Sequence, residues 1–189
     1  GGPDMASWLD VPTEVCGVPE PLWLRAERFV HTSRGRHFAA GRLVGAFVMR
    51  LPVLAVLGED FRGCSARVHP LWFTPRPGRG DDALARSEIL RRLCGYGAVE
   101  HLIGETMPLT PMDVAAIRAL NEGYSLVADS GFQQWLRVLR GCAGSLMRRH
   151  WGGVLLLAEA LRALPHDAQA NPVHLYETWF AWSKGTRRR

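Results

Sequence analysis

The stretch Ser33-Arg34-Gly35-Arg36-His37-Phe38-Ala39-Ala40-Gly41-Arg42-Leu43-Val44-Gly45 decides the fold class of this 189-residue chain. Its apolar positions Phe38, Leu43 and Val44 recur near helical spacing, with Leu24, Phe29 and Val30 upstream and Phe47 downstream. The polar run His31 to Arg36 interrupts that face. Pro21 suits a first helical turn, where its missing N–H leaves no bond unmade, and Gly45 reads as the stop. The pattern predicts one long helix from Pro21 to Gly45 with a polar interruption.

Outward from this helix the elements change type. Upstream, Pro12, Pro19 and Pro21 punctuate an irregular segment, and Gly1-Gly2-Pro3-Asp4 before Met5 reads as a cleavage scar of expression, set apart as residues 1–5. Downstream, Leu51 to Leu57 and Ala66 to Phe73 read as two strands joined through Gly58 and Gly63. Thr74 to Asp82 carries Pro75, Pro77, Gly78 and Gly80 and reads as a loop. A helix capped by Asp81 or Asp82 then runs to about Leu102. Thr110 caps another that starts at Pro111, and Gly131 separates it from a third containing Trp135, Leu136, Leu139 and Met147. Gly152-Gly153 is expected to kink that third helix before it continues from Val154 to Leu164. Past Pro165 the chain is expected to return to loop, with Tyr176, Trp179, Phe180 and Trp182 as an aromatic patch. The expected class is α+β, mostly helical, with a long first helix, a small β-sheet and a C-terminal helical bundle.

Composition narrows the function. Hydrophobic residues make up 47% and charged residues 22%, which excludes collagen and wholesale disorder, and the longest apolar runs fall short of a membrane span. Of 23 basic residues only Lys184 is lysine. Near absence of lysine points to a GC-rich, bacterial-like coding background more than to a nucleic-acid surface. The net charge is +5, and Arg187-Arg188-Arg189 carries three of those charges, so the body is only mildly basic. Cys16, Cys64, Cys94 and Cys142 form no C-x-x-C pair and read as free thiols of a cytoplasmic protein.

Most catalytic patterns are missing. His31 and His37 are six residues apart, roughly 600° of helical rotation, so they do not share a face as an H-E-x-x-H pair does. The other histidines are scattered singles, better explained as packed or surface residues than as ligands. No serine sits in G-x-S-x-G, and no G-x-x-x-x-G-K phosphate loop exists. Arg76 and Arg79, in the Pro- and Gly-rich loop, are candidate partner contacts, although a plain strand-to-helix connection explains that composition better. Arg148-Arg149-His150 before Trp151 reads foremost as a solvated helix face.

Taken together, four stretches over about residues 22–163 resemble the peptidase domain of FtsH-type zinc metallopeptidases, in the stand-alone form that lacks the ATPase module. The opening stretch has the family's step from the last histidine of H-E-A-G-H to the closing glycine. Ile89 to Leu102 resembles the helix with Ala-Glu near its end, here Ala98, Glu100 and His101. Thr110-Pro111-Met112-Asp113 resembles the S-x-x-D that supplies the third zinc ligand, and Leu146 to Leu161 the closing helix. The resemblance implies a peptidase-like domain over residues 6–164, followed by an aromatic segment and basic tail at 165–189.

Carried over residue by residue, the resemblance puts His37 and Asp113 at ligand positions, Ser33 at the first histidine and Arg34 at the catalytic glutamate. Two ligands do not make a catalytic zinc site, which takes three plus water. A guanidinium stays protonated and cannot take a proton from water, and beside Zn²⁺ it costs several kcal/mol in a semi-buried cleft. The expectation is therefore a pseudopeptidase: no cofactor, with zinc as the alternative; no catalytic residue; and an Arg34–Asp113 ion pair in place of the metal. Asp113 is also explained as an acid favoured in a first helical turn. Its expected partner is a protein or flexible peptide segment, engaged by strand addition at the cleft; no membrane is involved, and a homo-oligomer is compatible. The alternatives are an active zinc metallopeptidase with atypical ligands, for which His31, Glu27 or His101 would supply the missing one, and, more weakly, a nucleic-acid-associated regulator.

Overall fold

A computed structural model describes residues 14–15, 18–19, 32–51, 82–163 and 172–187. Two short strands, β1 (Glu14–Val15) and β2 (Val18–Pro19), pair antiparallel with Val15 opposite Val18. Among the described residues six α-helices follow: α1 (Ser33–Val48), α2 (Asp82–Ile103), α3 (Pro111–Tyr124), α4 (Phe132–Arg149), α5 (Trp151–Arg162) and α6 (Pro172–Arg187). The mostly helical class holds. Both expected strands of the small β-sheet lie outside the described residues except Leu51, which is not in a strand. The only ladder among the described residues is thus β1–β2, upstream of where the sheet was expected. The loop with Arg76 and Arg79 also falls outside them.

The first helix begins later than its apolar spacing suggests. Thr32 is extended (φ −82°, ψ 155°) and its Oγ1 accepts the Gly35 N–H at 2.9 Å, an N-cap that starts α1 at Ser33. An unbroken helix from Pro21 to Gly45 is ruled out by the extended Thr32, and Ser33 to Arg36 form the first turn of α1; residues 21–31 lie outside the described residues. Gly45 is no stop either: α1 continues to Val48, and the Met49 N–H bonds back to the Gly45 carbonyl.

Gly41 and Gly45 instead set how closely α1 and α2 pack. A Cβ on Gly41 would lie 2.6 Å from the Ala98 Cβ and 2.7 Å from the Cys94 carbonyl oxygen, and one on Gly45 2.8 Å from the Cys94 Sγ. With small residues on both sides the two helices meet backbone to backbone. Leu43, Val44, Ile89, Leu93 and Ala98 are sealed between them. The other flank of α2 meets α4 closely, where Gly97 lies against the main chain at Ala143 and Gly144. Buried Met147 and Val154 extend this core into α4 and α5.

Farther along, Thr110 caps α3 as its sequence suggests, with Oγ1 accepting the Asp113 N–H and Pro111 in the first turn. Gly152-Gly153 does not kink a continuous helix: α4 ends at Arg149, and His150 joins it to α5. The expected C-terminal loop is the helix α6. Its Leu175 and Trp179, one turn apart, join the same core as α1 and α5, with Trp179 against Phe47. The dense run of aromatics conceals an amphipathic pattern that Pro172 opens. Among the described residues no helix is long and apolar enough to cross a membrane.

Candidate functional site

The site is built where the first turn of α3 enters the groove between α1 and α2. Glu100 and Arg140 prepare that entry: Arg140, from α4, pairs with Glu100 and donates to the Met107 carbonyl, while Glu100 accepts the Met107 N–H at 3.3 Å. The connection after α2 is thereby tied to both helices, and the Thr110 cap brings Asp113 inward.

Asp113 is 4% exposed, and five bonds converge on it. A terminal nitrogen of Arg42, on α1, lies 2.8 Å from both carboxylate oxygens. Arg92, on α2, donates to Oδ1 at 3.2 Å. On Oδ2 the Tyr96 hydroxyl makes a short hydrogen bond and the Thr110 hydroxyl one of 3.2 Å. Tyr96 accepts in turn the Thr110 N–H at 2.9 Å. The chain of charge extends along α2: Arg92 approaches Glu88 at 3.4 Å, and Glu88 takes a two-pronged grip from Arg91 at 2.7 and 2.8 Å. Arg91, Glu88, Arg92, Asp113 and Arg42 thus alternate in sign through an interior where none is more than 5% exposed. Phe38 flanks the series, with the Arg42 guanidinium 4.3 Å from its ring centre.

The carboxylate stays ionised in this setting. Burial pushes the Asp113 carboxyl up, but the Arg42 charge, the Tyr96 hydrogen bond and the Arg92 charge outweigh it and hold the group below the ordinary carboxylate range. Tyr96 moves the other way: burial and then the Asp113 charge raise its phenol, so it remains a donor. Burial likewise lifts the Cys94 thiol to about 12, with Arg91 and Arg42 opposing, so this cysteine is no nucleophile at neutral pH.

Of the candidate site residues singled out from the sequence, Asp113 lies here, together with the Thr110 that caps its helix. A guanidinium does pair with the aspartate, but those present belong to Arg42 and Arg92, not Arg34, which lies about 12 Å from Arg42 along the axis of α1. His37 is engaged elsewhere: its Nδ1–H donates to the Ser33 carbonyl at 2.7 Å, and its ring stacks on Trp151 with centres 5.9 Å apart. His101 meets the same indole edge-on at 4.4 Å. Ser33 is the exposed first residue of α1, and His31 and Glu27 lie outside the described residues. Sequence reasoning missed Arg42, Glu88, Arg91, Arg92 and Tyr96. The signal available was Arg42 itself, a single charge within Ala39-Ala40-Gly41-Arg42-Leu43-Val44.

These residues do not fit a zinc ion. Both Asp113 oxygens face guanidinium groups, and among the described residues no three His, Cys, Asp or Glu side chains converge as a ligand set. No family model matches the chain, and no curated protein or solved structure does.

Proposed function

We propose that the chain is a non-catalytic, peptidase-like domain that acts as a cytoplasmic protein-binding module. The supporting observation is the position of Asp113: the residue that the resemblance assigns to a metal is the anion at the centre of a buried, alternating ion network. A carboxylate that ties three helices together serves stability, and moving it to bind a metal would strand two guanidinium groups in the interior. The other positions carried over from the resemblance are inert for hydrolysis. Ser33 and Arg34 offer no general base, and the His37 ring is committed to Trp151 and to the backbone of its own helix.

The test is a fluorescent casein assay on the purified chain, with added zinc and with chelator. This reading expects no chelator-sensitive cleavage. Zinc-dependent cleavage abolished by His37→Ala would replace it with the active metallopeptidase.

A further inference from the structure

We propose that the outward face of α6 docks an acidic segment of a partner protein; this rests on the reading of the domain as a binding module. Tyr176, Phe180 and Lys184 are spaced four apart and form one ridge, and Arg187 extends its positive end. Tyr176 and Phe180 are 37% and 39% exposed, among the few large hydrophobic side chains of the described residues left in solvent. Their rings stack, 5.7 Å between centres and 15° between planes, and the Lys184 ammonium lies 4.4 Å from the Phe180 ring centre. The ridge is therefore pre-ordered and combines apolar ring edges with positive charge, which the sequence continues through Arg188-Arg189. Glu177 is the only acid in α6.

Geometry selects among polyanions. Neighbours four residues before and after flank a helical residue along the axis, and both Tyr176 and Lys184 pack against the Phe180 ring. Single-stranded nucleic acid binds aromatic platforms through open ring faces, and a base stacking on Phe180 would have to compete with Tyr176 and Lys184, which already pack on that ring. An anionic membrane takes the apolar face of an amphipathic helix, but that face of α6, with Leu175 and Trp179, is spent in the domain's own core. An acidic protein segment with interspersed apolar residues matches what remains: carboxylates for Lys184 and Arg187, side chains for the ring edges.

The experiment titrates the full chain with a fluorescein-labelled peptide of alternating glutamate and leucine, a fluorescein-labelled oligothymidylate, and vesicles containing phosphatidylserine. Saturable peptide binding is expected, weakened about tenfold by Phe180→Ala and by Lys184→Glu, with the melting temperature unchanged. The proposal is overturned if the peptide does not bind, if both variants bind it as the parent does, or if oligothymidylate or vesicles bind more tightly through the same two residues. The casein assay is independent of these titrations, so either proposal can fail alone.

Discussion

A carboxylate buried between two guanidinium groups and a phenol is costly to disturb one partner at a time. Asp113→Asn keeps the shape of the side chain but removes its charge, leaving Arg42 and Arg92 facing a neutral amide. Breaking such a buried pair costs about 3–5 kcal/mol, and urea unfolding at neutral pH should show a loss of that size. The pH dependence follows from the direction of the shift. Because the folded carboxyl lies below its unfolded value, its contribution is present in full above the ordinary carboxylate range of roughly 4 and fades as the pH falls through the folded value. The stability gap between the parent and Asp113→Asn should therefore narrow on acidification; a gap that widens would contradict the ion pairing. Asp113 stands out in the sequence as the ligand position of the resemblance, and its place in a capped first turn is a local feature that holds. Its chief partner does not stand out, since Arg42 lies 71 residues away in sequence and the pairing exists only once α1, α2 and α3 are packed.

At the level of the element, the same division between local and distant information recurs. The second and third helices were legible because Asp82, Thr110 and Pro111 act within one turn of themselves. The start of α1 was misjudged because apolar spacing upstream of Thr32 outweighed a cap that needs only one side-chain bond. Gly45 misled for a different reason: a glycine chosen for close approach to another helix is written the same way as one chosen to end a helix. Two substitutions separate a close-approach glycine from an unconstrained one. Gly41→Ala forces a Cβ to within 2.7 Å of the main chain of α2, and the overpacking should destabilise by about 1–3 kcal/mol despite the better helix propensity. Gly141→Ala, in the middle of α4 with nothing within 4 Å, should stabilise by roughly 0.5–1 kcal/mol. Thermal melts of the two variants check both signs.

Across the whole molecule, the C-terminal helix closes the core. Trp179 sits against Phe47 of α1 and over Gly153 of α5, while Trp182 lies on Gly152; a Cβ on Gly153 would come within 3.1 Å of the Trp179 ring. Trp179→Ala removes that wedge and should cost about 3–5 kcal/mol, read as a lower urea midpoint. Sequence reading separated this segment from the domain because its aromatics looked like a patch; which of them turn inward depends on a surface supplied by α1 and α5. The mostly helical class was legible from periodicity together with local caps, while the strands expected at 51–57 and 66–73 lie, apart from Leu51, outside the described residues.

All three scales meet in one claim, that Asp113 anchors charge and does not hold a metal. The most direct measurement is the zinc content of the purified parent chain and of Asp113→Asn after equilibration with zinc and removal of the excess. Substoichiometric zinc, the same in both proteins, is the predicted result. One zinc per chain in the parent, lost in Asp113→Asn, would contradict it.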